Sequence, residues 1–302
     1  MSDLLSFKLT TIKQTGWDEY ELIDSGRDEK LERFGPYILR RPHPGINWPK
    51  SQPEQVWNTA DATFRKTQGD KGFWQMKKQL PESWPIRWQD LVASVHLSPF
   101  KHTGIFPEQS AHWKWMQDIL EKHKKQNPGH QPHILNLFAY TGMASVVCAK
   151  MGAKVTHVDA SRSSIGWAKQ NQLASGLDER SIRWILDDVV KFVTREIKRG
   201  VKYDGIIMDP PAYGHGSKGE VWNFKSSFPL LLDLCTQILV DEPLFVLCNA
   251  YAVPISIQTL GSLLQENMKS YNGSVEAGEL IIEETKTNRQ LSTGVFARFS
   301  CQ

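Results

Sequence analysis

From about residue 131 onwards, apolar stretches alternate regularly with helix-forming stretches, and this pattern limits the fold more than any other feature. The strand candidates are residues 133–138, 154–159, 182–187, 203–209 and 244–249. Helical stretches separate them, at residues 142–151, 161–175, 189–199, 224–239 and 255–268. Near-continuous apolar strands that alternate with helices are typical of sheets covered on both faces. The pattern therefore predicts a doubly wound, parallel α/β sheet.

Two further strand candidates close the chain, at residues 275–285 and 292–300, with only a loop between them. They predict a C-terminal antiparallel hairpin at the edge of a Rossmann-like, mostly parallel, seven-stranded sheet. Residues 1–90 have short alternating segments with many Pro and Gly breaks, which predicts a small, mostly β domain. Residues 91–130 then form a linker of strand and helix that leads into the main domain, residues 131–302.

Composition excludes several classes of protein. The 302 residues carry a net charge of +3, and no apolar run approaches the length of about 20 residues that a membrane-spanning helix needs. The start of the chain lacks the charged and apolar regions of a signal peptide, which predicts a cytoplasmic protein without membrane partners. The four cysteines have no paired spacing, so we expect no metal site.

Charge and tryptophan are concentrated in the N-terminal part of the chain. Residues 33–88 hold ten Lys and Arg against four Asp and Glu, and eight of the eleven tryptophans precede residue 116. Basic charge mixed with aromatic residues is typical of surfaces that bind nucleic acid. The same residues could equally form a Trp-based core with a solvated basic face, and the two interpretations are compatible.

Ligands of open parallel sheets bind beyond the carboxyl ends of the strands. The first strand ends in a turn of small residues, Asn136 to Gly142, whose backbone can approach a ligand closely. This turn lacks the Gly-x-Gly-x-x-Gly pattern and the Gly-Lys-Ser/Thr of a P-loop, so it is not built for pyrophosphate. A turn that meets an amino-acid or nucleoside moiety fits better.

The next two strands end in acids. Asp159, 17 residues after Gly142, could accept from both ribose hydroxyls of an adenosine, or it could be an ordinary N-cap of the helix that follows. Asp187 and Asp188 follow the third strand, where a carboxylate could accept from an adenine amino group or cap the next helix.

The fourth strand ends in Asp209-Pro210-Pro211-Ala212-Tyr213. On its own, Pro-Pro after a strand indicates a turn. As the fourth in a series of suitable strand ends, this segment could hold a flat, amine-bearing ring, because carbonyls near the prolines accept and the aromatic offers a stacking face.

In this order the motifs resemble those of class I S-adenosylmethionine-dependent methyltransferases, and more narrowly the group of large-subunit ribosomal RNA cytosine-5 methyltransferases. The resemblance rests on NLFAYTG (136–142), HVDAS (157–161), LDDV (186–189), IMDPPAY (207–213) and TGIFPEQSAHWKWM (103–116). It covers roughly residues 95–302. It implies an enzyme that uses S-adenosylmethionine without a metal and methylates RNA, with ribosomal RNA as the expected substrate.

The resemblance also implies roles for individual residues. The predicted cofactor-binding residues are Phe106, Gln109, Asn136, Phe138, Ala139, Tyr140, Thr141, Gly142, Asp159, Ala160, Ser161, Asp188, Val189 and Asp209. The predicted catalytic residues are Asp209, Pro210, Pro211, Tyr213 and Cys248. Asp188 is preferred to Asp187, which should still belong to the strand.

Two chemistries follow from these residues. An exocyclic amine would be oriented by Asp209 and the Pro210 carbonyl, whereas carbon 5 of cytosine would need a cysteine thiolate to add to carbon 6. The related cytosine-5 enzymes carry that cysteine where this chain has Asn249, and Cys248 lies one residue earlier, which turns its side chain to the opposite face of the strand. The methyl-accepting atom therefore stays open.

Other functions remain compatible with the sequence. The same motif could methylate a protein amide or a small-molecule amine. From different classes, a dinucleotide-dependent oxidoreductase is disfavoured by the missing glycine pattern, and a non-catalytic RNA-binding protein by the full set of strand-end residues.

Overall fold

A computed structural model of the chain describes residues 7–67, 71–216 and 219–301. The strands are β1 (Lys8–Lys13), β2 (Tyr20–Gly26), β3 (Glu29–Phe34), β4 (Tyr37–Pro42), β5 (Ala62–Lys66), β6 (Gly72–Met76), β7 (Ser83–Trp88), β8 (Leu91–His96), β9 (His133–Leu137), β10 (Lys154–Asp159), β11 (Ile182–Leu186), β12 (Gly205–Met208), β13 (Tyr213–His215), β14 (Val221–Asn223), β15 (Phe245–Ala250), β16 (Ser274–Glu283) and β17 (Gln290–Ser300). The α-helices are α1 (Glu54–Trp57), α2 (Ser110–Gln126), α3 (Met143–Lys150), α4 (Arg162–Ala174), α5 (Val189–Arg199), α6 (Phe224–Thr236) and α7 (Ile257–Met268).

The chain divides into two units. The first consists of the described residues of Met1–Ile12, Ala111–Leu280 and Thr293–Gln302, and the second of Lys13–Ser110 and Ile281–Ser292. Each unit has its own sheet. The sequence-based boundaries at residues 90 and 130 stay predictions.

The first unit is built on an eight-stranded sheet in the order β1-β16-β17-β15-β12-β9-β10-β11. The strands from β15 to β11 are parallel, and β17 pairs antiparallel with β15, which confirms the predicted architecture. The one addition is β1, an edge strand beside β16 that the alternation pattern did not indicate. All four residues of β12 are buried, as expected of a strand covered on both faces.

The order of the parallel strands indicates where a ligand would bind. β9 is the first of these strands along the chain, β10 and β11 lie to one side of it, and β12 and β15 lie to the other. The strand order therefore reverses between β9 and β12. Ligands of doubly wound sheets bind at this switch point, beyond the carboxyl ends of the strands.

One face of this sheet packs against α5, α6 and α7, in an apolar core that contains Phe192, Phe228 and Leu264. On the α2 side, the Trp115 ring contacts the Phe245 ring of β15 edge-on, with centroids 5.5 Å apart. No described helix has the length and apolarity that crossing a membrane would require.

The second unit contains a five-stranded sheet, β2-β3-β4-β5-β6, and the β7–β8 hairpin. Its tryptophans are largely interior: Trp57, Trp84 and Trp88 are buried, and Trp48 and Trp74 are partly buried. The indole N–H groups bond to protein acceptors, for example that of Trp57 to Asp24 at 2.7 Å. Tryptophan therefore forms the core of this unit.

Candidate active site

The turn after β9 projects its backbone at the switch point. Phe138, Tyr140 and Gly142 all have positive φ, of 54°, 50° and 79°. The turn is tied to the neighbouring strand, because the Ala139 N–H donates to the Val158 carbonyl at 3.2 Å. Two non-glycine residues in the left-handed region cost free energy, which other contacts must offset. Such geometry is concentrated at ligand-binding sites.

The Asp159 carboxylate at the end of β10 supplies some of these contacts. Its Oδ2 accepts from the Tyr140 N–H and its Oδ1 from the Ser161 N–H, each at 2.8 Å. Burial raises the pKa of Asp159, and the two N–H donors partly oppose that shift. Because a carboxylate has about four acceptor positions, each oxygen can accept a further bond from a ligand.

Gly142 fits its place for two reasons. Its φ lies in the left-handed region, and an added Cβ would lie 2.8 Å from Ala168 Cβ and 3.2 Å from His157 Cε1. Thr141, the residue before Gly142, is held by α4, because the Asn171 amide donates to the Thr141 carbonyl at 2.8 Å. The turn is therefore packed tightly against α4.

A buried polar chain supports the same turn from beneath. The Asn136 amide donates to Ser145 Oγ at 2.9 Å, and Ser145 Oγ lies 3.1 Å from His157 Nδ1. Burial lowers the pKa of His157 to about 3, so its ring is neutral. The Asn136 side chain is thus directed into the protein, and its part in a cofactor site stays a prediction. No motif marks Ser145 or Asn171 in the sequence, and His157 lies in the HVDAS segment without a role predicted for it.

The two acids after β11 have different partners. Asp187 forms an ion pair with Arg195 and accepts from the Asp188 N–H at 2.9 Å. Asp188 caps α5 by accepting from the Lys191 N–H at 2.9 Å. The pairing with Arg195 leaves Asp188, followed by the buried Val189, as the better-placed acid for a ligand.

The segment after β12 lies beside the β9 turn. The Asp209 N–H donates to the Leu137 carbonyl at 3.4 Å, which continues the pairing of the two strands. Pro210 is buried, whereas Pro211 is exposed. The Pro211 carbonyl accepts from the Trp222 indole at 2.7 Å.

The Ala212 carbonyl also has a hydrogen-bond donor in the protein, because it accepts from the Phe224 N–H at 3.1 Å. Within the described residues, no donor to the Pro210 carbonyl is found. It is therefore the carbonyl of Pro210-Pro211-Ala212 that has no protein donor among the described residues.

Trp222 joins the two strand-end segments. Its indole bonds to Pro211, and its ring meets the Phe138 ring edge-on, with centroids 4.7 Å apart. The predicted role of Phe138 was to line the cofactor, and its ring also forms this packing contact. A tryptophan nine positions after Tyr213, the last residue of the motif, carries no recognisable signal, so sequence reasoning missed Trp222.

Tyr213 and His215 lie on the short β13–β14 hairpin, in which Tyr213 pairs with Asn223. The Tyr213 side chain is 57% exposed, and its ring meets the His215 ring at 5.2 Å. An exposed ring one strand end away from the β9 turn is available to stack on a planar ligand.

Cys248 is fully buried in the apolar core on the α6 side of β15. Burial raises the pKa of this thiol strongly. Asn249 points to the other face of the strand, as expected from the alternation of strand side chains.

Phe106 and Gln109 are the remaining predicted cofactor residues, and both belong to the second unit. Phe106 precedes a short 3-10 helix, Pro107–Gln109, and Gln109 is the last residue of that helix. Their contribution to a cofactor site stays a prediction. Ala160 and Ser161 follow Asp159 directly, and Ser161 Oγ caps α4 by accepting from the Ser164 N–H at 3.2 Å.

Comparison with known proteins identifies the family of the chain. Residues 41–252 match the family model of S-adenosylmethionine-dependent methyltransferases. The chain belongs to this family. The methyltransferase uses S-adenosylmethionine as its cofactor.

Ribosomal RNA large subunit methyltransferase K of Neisseria meningitidis serogroup B is 29% identical over 157 residues, which cover 51% of this chain and 42% of that protein. Ribosomal RNA large subunit methyltransferase K/L of Shewanella frigidimarina is 35% identical over 157 residues, which cover 51% of this chain and 20% of that protein. This methyltransferase thus aligns with less than half the length of these curated relatives.

Among solved structures, a SAM-dependent methyltransferase from Agrobacterium tumefaciens is 38% identical, with a TM-score of 0.92, and the match covers 98% of this chain and 97% of that one. A protein from Streptococcus mutans shares the fold at a TM-score of 0.70 and 16% identity, over 94% of this chain and 76% of that one.

Proposed function

We propose that this methyltransferase transfers a methyl group to an exocyclic amine of a base in large-subunit ribosomal RNA. One observation carries the proposal: the Pro210 carbonyl, which has no donor among the described residues, and the exposed Tyr213 ring both follow β12, beside the turn after β9. RNA as the substrate class is supported by the relatives, which are named as ribosomal RNA large subunit methyltransferases.

The cofactor, when bound, supplies an activated methyl group on a sulfonium. We assign the ribose hydroxyls to the Asp159 carboxylate, whose two oxygens each already accept one backbone N–H. Asp188 and the backbone at Val189 receive the adenine. The turn from Phe138 to Gly142 receives the methionine end, because it lies at the carboxyl end of β9 and has three residues with positive φ.

The acceptor amine is oriented by the segment after β12. A primary amine that donates one N–H to the Pro210 carbonyl and the other to Asp209 has its lone pair directed out of the base plane. Positioning of this kind can contribute about 7–11 kcal/mol to lowering a barrier. The bonds from Trp222 and Phe224 hold Pro211 and Ala212 in place.

Tyr213 provides the stacking surface for the target base. A base within structured RNA has to leave its stack before it can reach a buried acceptor such as Pro210. Stacking on an aromatic ring recovers about 1–3 kcal/mol of that cost. The exposed position of Tyr213 on a hairpin suits this role.

Nitrogen is favoured over carbon 5 of cytosine as the acceptor because of Cys248. Addition to the pyrimidine ring requires a thiolate, and burial raises the pKa of the Cys248 thiol. Its side chain also belongs to the core that α6 covers. Cys248 is therefore proposed to be structural.

The RNA assignment is tested with unmodified transcripts of large-subunit and small-subunit ribosomal RNA, transfer RNA and radiolabelled S-adenosylmethionine. We expect incorporation into the large-subunit RNA and loss of incorporation with Asp209→Ala. Incorporation into small-subunit RNA, transfer RNA or protein instead would contradict the proposal.

The acceptor atom is tested by mass analysis of nucleosides from the methylated RNA. An N-methylated base is expected, and Cys248→Ala should retain activity to the same extent as Cys148→Ala, which removes another fully buried thiol. The appearance of 5-methylcytosine, lost in Cys248→Ala but kept in Cys148→Ala, would assign the thiol mechanism instead.

A further inference from the structure

The second unit carries an exposed aromatic and basic face on the β5–β6 hairpin. Residues 62–67 and 71–78 contain five cations (Arg65, Lys66, Lys71, Lys77 and Lys78) and no acid, and one acid, Asp70, lies between them in the sequence, outside the described residues. Outside these segments, Asp61 is paired with Lys78 at 2.7 Å, which leaves the other four cations to dominate the charge. A surface of this composition attracts polyanions.

Strand pairing decides which side chains share the outward side. Arg65 lies directly opposite Phe73, and Lys71 lies directly opposite Phe100. Because strand side chains alternate, Lys71, Phe73 and Gln75 lie on one side of β6. Arg65, Lys71, Phe73, Gln75 and Phe100 therefore form one surface, which we call the hairpin face.

The opposite side of the hairpin is interior. Phe64 is buried, and its ring meets the Trp74 ring at 5.4 Å. The Trp74 indole donates to the Ser98 carbonyl at 2.8 Å, and the Gly72 N–H donates to the Pro99 carbonyl at 3.1 Å. These contacts hold the segment that carries Phe100 against β6, so the hairpin face has a defined backbone.

The exposure of the two phenylalanines is unusual in this chain. Phe73 is 56% exposed and Phe100 is 45% exposed, and among the residues described no other phenylalanine is exposed. Both lie on the hairpin face. Large apolar side chains that are grouped on a surface rather than scattered indicate an interaction site.

We infer that the hairpin face binds unpaired RNA, with bases stacked on Phe73 and Phe100 and phosphates held by Arg65 and Lys71. The inference rests on the proposed function for the identity of the polymer. Alternating aromatic rings and cations fit a single strand, since every base has a stacking surface and every nucleotide a phosphate. A protein partner would need acidic side chains that match these cations, or a larger apolar area to pack against. The tryptophans of the second unit are buried or partly buried, so they offer less ring surface for stacking than the two exposed phenylalanines.

The inference is tested by fluorescence anisotropy of a labelled single-stranded RNA of about 12 nucleotides, within the site sizes of comparable surfaces. We expect Phe73→Ala and Phe100→Ala each to weaken binding by roughly 5-fold or more, and Phe73→Trp to restore it. Leu173→Ala and Leu230→Ala, which remove exposed apolar side chains of the first unit, are the matched controls and should bind normally.

Arg65→Gln combined with Lys71→Gln should make RNA binding less sensitive to salt. The slope of the logarithm of the binding constant against the logarithm of the salt concentration should become shallower by about 0.7 for each lost phosphate contact. A duplex of the same sequence should compete poorly, because its bases are not free to stack. Equal binding of duplex and single strand, or wild-type affinity in Phe73→Ala and Phe100→Ala, would overturn the inference.

The outcome is separable from that of the proposed function. If ribosomal RNA is methylated but the phenylalanine variants bind RNA normally, the hairpin face is wrong and the enzyme assignment stands. If the variants lose binding while no RNA is methylated, the hairpin face stands and the substrate assignment fails.

Discussion

The strand ends on the two sides of the switch point are built differently. After β9 and β10, the protein satisfies its own polar groups: Asp159 holds two backbone N–H groups, and Asn171 holds the Thr141 carbonyl. After β12, Pro211 and Tyr213 are exposed, and the Pro210 carbonyl has no donor among the described residues.

This difference matches two kinds of ligand. A small cofactor of constant shape is best met by a preorganised turn, because order that exists before binding is not lost on binding. A base that arrives on a polymer needs an open approach and an exposed ring to stack on. Mutations after β9 and β10, on the proposed cofactor side, should therefore change cofactor affinity and protein stability. Mutations after β12, on the proposed target side, should change kcat.

The largest effect is expected on the target side. Asp209→Ala should lower kcat by about 100-fold, as expected when an acceptor amine loses its orientation. The affinity for S-adenosylhomocysteine, measured by calorimetry, should stay within a few-fold. Asp233→Ala, an exposed acid on α6, is the control. A large loss of cofactor affinity in Asp209→Ala would place this acid on the cofactor side.

On the cofactor side, Asp159→Ala should weaken S-adenosylhomocysteine binding by roughly 10- to 100-fold, since hydrogen bonds to a charged group contribute about 1.5–3 kcal/mol. Asp178→Ala removes another acid that accepts a backbone N–H, from Arg180 at 2.7 Å, and should bind normally. Unchanged affinity in Asp159→Ala would mean that this carboxylate only braces the turn.

The packing of the β9 turn is tested by Gly142→Ala, which should lower the free energy of unfolding by about 2 kcal/mol in thermal or denaturant melts. The added Cβ meets Ala168, and the left-handed φ is strained. Gly200→Ala has a similar φ of 66° but open space around it, so it should cost only about 1 kcal/mol. Equal losses would show that packing against α4 contributes nothing.

The smallest effect is expected where the two sides meet. Trp222→Phe keeps the ring against Phe138 but removes the donor to Pro211, a bond that contributes about 1 kcal/mol. We expect kcat to fall by about 5-fold without a change in cofactor affinity. Trp184→Phe, a partly buried indole on β11, is the control. A kcat equal to that of the control would show that Trp222 does not position the proline segment.

Much of this molecule could be predicted from the sequence. The alternation after residue 131 indicated the parallel sheet, since strands buried on both faces must be apolar throughout, as β12 is. The last residues of those strands indicated the site, because parallel strands bring their carboxyl ends to one edge. β1 escaped prediction, since an edge strand with one exposed side has only a weak apolar pattern.

The N-terminal tryptophans show the limit of composition. Tryptophan and basic charge together predicted either an RNA-binding surface or a Trp-based core. The structure buries Trp57, Trp84 and Trp88, and exposes Phe73 and Phe100 instead. Burial depends on which strand faces which neighbour, and no count of residue types contains that information.

By itself, the sequence determined the class of fold, the family and the positions of the strand-end acids, because these depend on the order and period of residues along the chain. Only the tertiary structure decided how the side chains are used. It pairs Asp187 with Arg195, turns Asn136 toward Ser145 and buries Cys248 beneath α6. Each of these outcomes depends on a residue from another element, and such contacts exist only once the chain has folded.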